Sequence, residues 1–322
     1  MGNAVGRPHL ISPHPFFGKH PMKSPISRRS FLKTTSVLGA GIGLAGLGSS
    51  PVLAAAAAHG APHAEKLGWH LAIQAWSFNK FTFSEAVDKT ACLGLHYIEA
   101  FPGQTFSKDQ PEAKINEGAS AEVRKAIKQK LADSGVKLVN YGVCGLPKDA
   151  DQSRKIFEFA KEMGIETIVS EPEEDAFDAI EKLCDEYEIN VAIHDHPKPS
   201  HYWNPDTVLK VCKGRSKRIG SCADTGHWLR SGLNPIECLK KLQGRIISFH
   251  FKDLNERSPD AHDVPWGTGV CNVKGMLAEV HRQGVKGVFS IEYEYHMDNS
   301  MGEIAPSVKY FDKVAAHLAA KA

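Results

Sequence analysis

Eight times along this chain a short apolar, strand-like run gives way to a longer amphipathic stretch, and that alternation restricts the fold more than any other feature. Strands are predicted at 71–75, 96–100, 137–141, 166–171, 190–194, 219–224, 246–250 and 288–292. Helices are predicted at 83–93, 119–134, 151–163, 173–187 and 205–212, then from Pro235, at 272–283, and in a last stretch reaching Ala320. Ser84 reads as the N-cap of the first helix, and a polar loop through Pro111 follows the second strand. Steps such as Gly135-Val136, Gly164-Ile165 and Gly284-Val285 read as helix C-caps leading into the next strand. Eight βα units within 61–322, close to the roughly 250 residues typical of such a domain, favour a closed (β/α)8 barrel over an open sheet. An open dinucleotide-binding sheet would carry a GxGxxG turn after its first strand. Here that turn reads Gln74-Ala75-Trp76-Ser77-Phe78.

Residues 1–60 stand apart from this pattern. Ser27-Arg28-Arg29-Ser30-Phe31-Leu32-Lys33 is a twin-arginine signature, followed by a Gly/Ala/Leu stretch from Val37 to Leu47 and small-residue cleavage sites at Ala54 to Ala58. The apolar stretch falls short of the ~20 residues of a spanning helix. The expectation is a signal peptide and linker, recognised by the twin-arginine translocase, that delivers a soluble mature barrel to the periplasm or beyond. Seven cysteines stand singly, without a CxxC pair, which argues against a disulfide framework or a zinc finger; most are expected to be buried. A formal net charge of +2 with interspersed signs leaves no basic stripe for nucleic acid.

In a parallel barrel, polar residues at the C-terminal strand ends converge on one mouth, where such proteins place their active sites. Glu171, Asp224, His250 and Glu292 each end a predicted strand. Two Glu, one Asp and one His form a hard, oxygen-rich set suited to one divalent cation such as Mn²⁺, Mg²⁺ or Zn²⁺. Singly, Glu171 and Asp224 would read as helix N-terminal acids and His250 as a core histidine; four in strand-end register read as a site. Strand parity adds partners: Lys252 with His250, Glu294 with Glu292, His196 with His194, and Trp76 with Gln74. Lys252 and His196 are further acid/base candidates, and His194 is placed among the substrate contacts. Of the aromatic residues predicted near the mouth, Trp76, Trp228 and Trp266 are the candidates to face the C–H side of a sugar. Gly267-Thr268-Gly269 is a weak candidate phosphate cradle; a neutral sugar is favoured.

Glu171, Asp224-Thr225-Gly226-His227, His250-Phe251-Lys252-Asp253 and Glu292-Tyr293-Glu294 together resemble the motifs of the xylose-isomerase-like TIM-barrel superfamily, in particular its sugar phosphate isomerase/epimerase branch. The resemblance spans essentially all of 61–322. It implies one divalent metal held by Glu171, Asp224, His250 and Glu292, with His227 touching substrate or supporting the ligands. It also implies that Glu171 and Glu292 act as an acid/base pair on opposite faces of a sugar or keto-sugar, by proton abstraction through a metal-stabilised enediolate.

A lyase or dehydratase of a 3-keto-sugar or inosose would use the same site, since elimination needs the same metal and base. A non-catalytic sugar-binding protein is the alternative of another class, and oligomeric state is left open. The superfamily's DNA-repair endonucleases need histidines where Glu99 and Tyr141 stand, which disfavours that reading. The export expectation has a direct check. Converting Arg28 and Arg29 together to Lys is expected to hold the precursor in the cytoplasm, still folded, as followed by cell fractionation; undiminished delivery would remove the twin-arginine assignment.

Overall fold

A computed structural model describes residues 60–321; the twin-arginine segment lies outside the described residues. Ten strands follow in chain order: β1 (Trp69–Gln74), β2 (Tyr97–Ala100), β3 (Thr105–Ser107), β4 (Gln110–Lys114), β5 (Lys137–Cys144), β6 (Thr167–Ser170), β7 (Asn190–Ile193), β8 (Ile219–Asp224), β9 (Ile246–Phe251) and β10 (Gly287–Ile291). Eight of them close a barrel in the order β1-β10-β9-β8-β7-β6-β5-β2, every pair parallel, with helices between consecutive strands. The expected (β/α)8 TIM barrel is therefore the fold.

The remaining pair, β3 and β4, forms an antiparallel hairpin in the connection after β2, where the sequence suggests only a polar loop. Its anchor is Phe106, the buried centre of Thr105-Phe106-Ser107, while Lys114 Nζ reaches Thr105 Oγ1 at 2.7 Å. Helix Phe83–Cys92 is capped by Thr82 rather than Ser84. Thr82 Oγ1 accepts the Glu85 N–H at 3.3 Å, and the Glu85 carboxylate accepts the Thr82 N–H at 2.9 Å. That reciprocal box needs Glu three residues after the cap, a spacing that Ser84 lacks. A short helix, Pro62–Lys66, precedes β1 and packs on the C-terminal helix Met301–Ala319, where Asp312 accepts the His63 N–H at 2.7 Å.

Strand alternation divides the chain's apolar residues between two cores. The larger lies between strands and helices, and its aromatic centre is Phe289, stacked on Phe249 at 4.2 Å and packed against Trp69 at 5.1 Å and Phe311 at 5.2 Å. The opposite strand parity faces the barrel interior. There two small separate clusters, Ala72/Val139/Val288 and Val169/Ala192/Cys222, fill the space below the mouth. Two residues further along the same strands stand Gln74, Glu171, His194 and Asp224, and beyond Val288 come Ser290 and Glu292. The interior thus passes from apolar to charged within a few ångströms of strand rise. The cysteines of the described residues are free, all buried except the half-buried Cys92. Phe289→Ala should lower stability by about 3–5 kcal/mol in chemical denaturation, since a fully buried aromatic at a four-ring contact leaves a cavity; a loss below about 1 kcal/mol would show that this belt repacks freely.

Candidate active site

Register places the charged residues side by side at the C-terminal strand ends. Asp224 pairs with His250, and His250 with Ser290. Glu171, His194, Lys252 and Glu292 each lie one residue past the end of β6, β7, β9 and β10. Their side chains form one connected network. Glu171 Oε1 is 2.9 Å from His194 Nδ1, takes the His196 N–H at 3.0 Å and also contacts the His196 ring. His194 Nε2 then lies 3.6 Å from Asp224 Oδ2 without a hydrogen-bond partner of its own. Lys252 Nζ donates to both Asp224 Oδ2 and Glu292 Oε2 and stands 3.6 Å from Glu294.

Burial alone would neutralise these groups, but their neighbours prevail. Desolvation works against the Lys252 ammonium, yet Asp224, Glu292 and Glu294 hold its pKa well above the usual lysine value. Burial would raise the Asp224 and Glu292 carboxyls. Lys252 and His194 keep Asp224 well below the ordinary range, and Lys252 and His250 do the same for Glu292. The desolvated His227 is pushed well down and stays neutral. Its Nδ1 lies 3.1 Å from Arg230 Nη1, which can only donate, so Nε2 carries the proton and faces Asp224 Oδ2 at 3.5 Å. Arg230 in turn spans Glu294 at 3.1 Å and Asp263 at 3.3 Å.

The structure regroups the expected metal ligands. Asp224 and Glu292 come together, but with His194 and His227: these four each offer a donor atom within 4.8 Å of the others and could hold a metal ion. Glu171 belongs to a second group with His194 and His196. His250 turns its Nε2 to Glu99 at 2.8 Å and its Nδ1 toward Glu292 Oε2 at 3.2 Å. Glu99, fully buried, also receives Gln74, Asn140 and Ser290, and so anchors a polar layer under the mouth. The sequence reading missed Glu99, Arg230 and Asp263 as site residues. Glu99 was visible by the same criterion as Glu171, being an acid near a strand end; Arg230 was visible as the residue three after His227 on a helix face.

A cavity of about 370 Å³ opens on this network, lined among others by Gln74, Trp76, Phe101, His196, Glu292 and Glu294. Trp76, 40% exposed, stands edge-on to Phe101 at 5.0 Å and forms an apolar wall. Trp228 and Trp266 do not line it. Both are buried in the larger core, Trp228 on the helix Thr225–Arg230 and Trp266 packed on Phe251 and Phe311. Nor is Gly267-Thr268-Gly269 an open cradle: the N–H groups of Gly267 and Gly269 donate to Asp253 Oδ2 at 2.8 and 3.0 Å, so a carboxylate of the chain itself fills it.

The chain belongs to the xylose isomerase-like TIM barrel family, which matches residues 87–318. A putative uncharacterized protein from Parabacteroides distasonis ATCC 8503 shares 35% identity with it over 76% of this chain and 99% of its own, with a TM-score of 0.64. A D-tagatose 3-epimerase-like protein is 19% identical, covering 78% of this chain and 98% of its own at a TM-score of 0.59. A xylose isomerase-like TIM barrel protein from Mycobacterium smegmatis, solved in complex with magnesium, is 15% identical over 78% and 97%, with a TM-score of 0.60. The last two likenesses carry the fold alone. No curated protein matches the chain.

The Glu171–His194 pair sets a pH window. The desolvated Glu171 carboxyl is nonetheless lowered from 4.5 by hydrogen bonds to His194 and His196, so its contribution to stability is complete above 4.5 and fades as pH falls further. Burial opposes the His194 cation, but Asp224 and Glu171 raise its pKa above 6.5; that contribution is complete below 6.5 and is lost as pH rises through the raised value. The stabilisation removed by Glu171→Gln should therefore be largest between 4.5 and 6.5 when melting temperatures are compared across pH. A difference that stays constant from about pH 3 to about pH 9 would mean that this pair does not titrate with folding.

Proposed function

We propose that this chain is a sugar isomerase or epimerase that removes a proton from the carbon beside a carbonyl. The observation that carries the reading is the juxtaposition of ionised, buried acid/base groups with a 370 Å³ cavity that has one aromatic wall. Cavities of roughly 300–1,000 Å³ suit small ligands. Trp76 offers a flat apolar face to ring C–H groups, and Gln74, His196, His227 and Glu294 offer polar partners for hydroxyls. A protein that only bound sugar would gain little from a buried ammonium and two buried carboxylates, whose desolvation costs several kcal/mol per ion.

Glu292 is the first base under this reading. It lines the cavity and is ionised at neutral pH, the state a base requires, although Lys252 and His250, which hold its pKa down, make it a weaker base than a free carboxylate. His196 also reaches the cavity, with its ring oriented by Glu171, the carboxylate–imidazole arrangement of a general acid/base. Lys252, held as an ammonium, cannot take a proton; in the metal-free site it can donate a hydrogen bond to a developing oxyanion. The donors of a divalent cation are present in kind and spacing, and the unpartnered His194 Nε2 is an atom such an ion would satisfy. His194, Asp224, His227 and Glu292 would hold it, and once bound it would supply Lewis-acid stabilisation of charge on substrate oxygen. Delivery by the twin-arginine route is part of the same proposal and rests on Arg28 and Arg29.

Turnover of a panel of ketoses and 3-keto-glycosides in D₂O tests the chemistry. Solvent deuterium is expected at the carbon beside the carbonyl, and metal-replete Glu292→Gln is expected to lower turnover by about 10²–10⁴-fold. Quantitative transfer of the substrate's own hydrogen to the neighbouring carbon would refute proton abstraction. Release of a leaving group with the same labelling would make the enzyme a lyase instead.

A further inference from the structure

We propose that Lys252 is a tethered competitor of the divalent cation: its ammonium lies on two of the four metal donors and must leave them before an ion can bind. The inference rests on the reading above in one respect, that His194, Asp224, His227 and Glu292 are the donors a cation would use. Asp224 Oδ2 is the atom approached by His194 Nε2 at 3.6 Å and by His227 Nε2 at 3.5 Å, and it is the same atom to which Lys252 Nζ donates. The second acceptor, Glu292 Oε2, closes the group from β10. The ammonium therefore sits where the donor atoms converge.

That seat is built into the backbone around it. Lys252 is fully buried, its N–H donates to Thr225 Oγ1 at 2.9 Å, and its carbonyl accepts the Thr225 hydroxyl at 3.1 Å. Its stem runs against Gly226: a Cβ there would stand 2.7 Å from Lys252 Cδ and 2.9 Å from Lys252 Cβ. Lys252 and Arg230 face four carboxyls, Asp224, Glu292, Glu294 and Asp263, so what stands against an ion is the position of the ammonium and not a want of negative charge. Two further positive charges beside an unmoved ammonium would meet strong repulsion in a buried setting. Glu294, 3.6 Å from Nζ, is the acceptor toward which a displaced ammonium can swing. A third restraint acts on His227, whose Nδ1 is held by Arg230, leaving the proton on the nitrogen that would have to ligate. Metal occupancy thus depends on rearranging a lysine, a condition that a site with four free ligands does not impose.

The test compares Mn²⁺ and Zn²⁺ affinity of the purified full chain by titration calorimetry, with bound metal counted by elemental analysis. Lys252→Met should bind at least tenfold more tightly than the wild type, and its melting temperature should rise on adding the ion by more than the wild type's does. Because Lys252→Met leaves buried carboxylates without their counter-charge, Gly226→Ala provides a second arm. It keeps every charge and crowds the lysine stem, and tighter metal binding than in the wild type is expected there too. A folded Lys252→Met protein with unchanged or weaker affinity overturns the proposal; if that variant does not fold, unchanged affinity in Gly226→Ala overturns it. Tight wild-type binding that neither variant alters would sink the competition while leaving the metal reading intact. No binding by any of the three proteins at millimolar ion would sink both.

Discussion

The ammonium of Lys252 between Asp224 and Glu292 is the contact on which the rest of the barrel mouth depends. It joins the ends of three adjacent strands, β8, β9 and β10, through side chains that would each be costly to bury alone. Removing one member leaves a charge without its partner in a low-dielectric setting, which typically costs 3–5 kcal/mol. Replacement of such a group by apolar side chains of similar volume is often neutral or stabilising. Its presence at the open end of the barrel, beside a cavity, is therefore better explained by what it does than by what it holds together.

The network is kept in shape by residues that never reach the cavity. Glu99 gathers His250, Gln74, Asn140 and Ser290 into a polar floor, holding the Nε2 of His250 while its Nδ1 faces Glu292 at 3.2 Å. Asp195 accepts the Asp224 N–H at 2.8 Å and steadies the end of β8. Arg230 fixes the His227 tautomer and spans Glu294 and Asp263, whose buried carboxyl is pushed up to about 7 by desolvation. Each mouth side chain thus has an oriented partner behind it, which is the condition for holding reactive groups in one geometry.

The barrel was legible in the sequence because alternation of strand and helix periods is a local signal repeated eight times. Most C-terminal strand ends were legible to within a residue, β5 running three past its expected end at Tyr141: Glu171, His194 and Glu292 lie one position beyond strands that the apolar pattern already delimits. Parity within a strand correctly put Lys252 on the same face as His250, but parity cannot say which partner a long, flexible side chain reaches across the barrel. Asp253 and Glu294 are its sequence neighbours or parity mates, whereas its closest contacts are Asp224 and Glu292. Trp228 and Trp266 were misplaced for a related reason. Nearness to a strand end does not decide whether a ring faces the mouth or the outer core, and helix packing settled it. The glycines at 267 and 269 show the reverse case, where a motif with donors for an anion is satisfied internally by Asp253. In these cases the missing information is tertiary, a choice between partners on different strands.

The cavity itself is asymmetric, and that asymmetry limits what can bind productively. Its lining combines the aromatic pair Trp76 and Phe101 with the polar side chains of His227, Glu292 and Glu294. A ligand with hydroxyls all round would leave several of them unpaired against the aromatic wall, at a cost of about 1–3 kcal/mol for each buried group. A ring with a C–H face and an oxygen-rich edge satisfies both sides in a single orientation. Under the proposed reaction that orientation would present the edge to Glu292, which lines the cavity. The apolar side chains would then act by restricting the pose in which a substrate carbon reaches the ionised network.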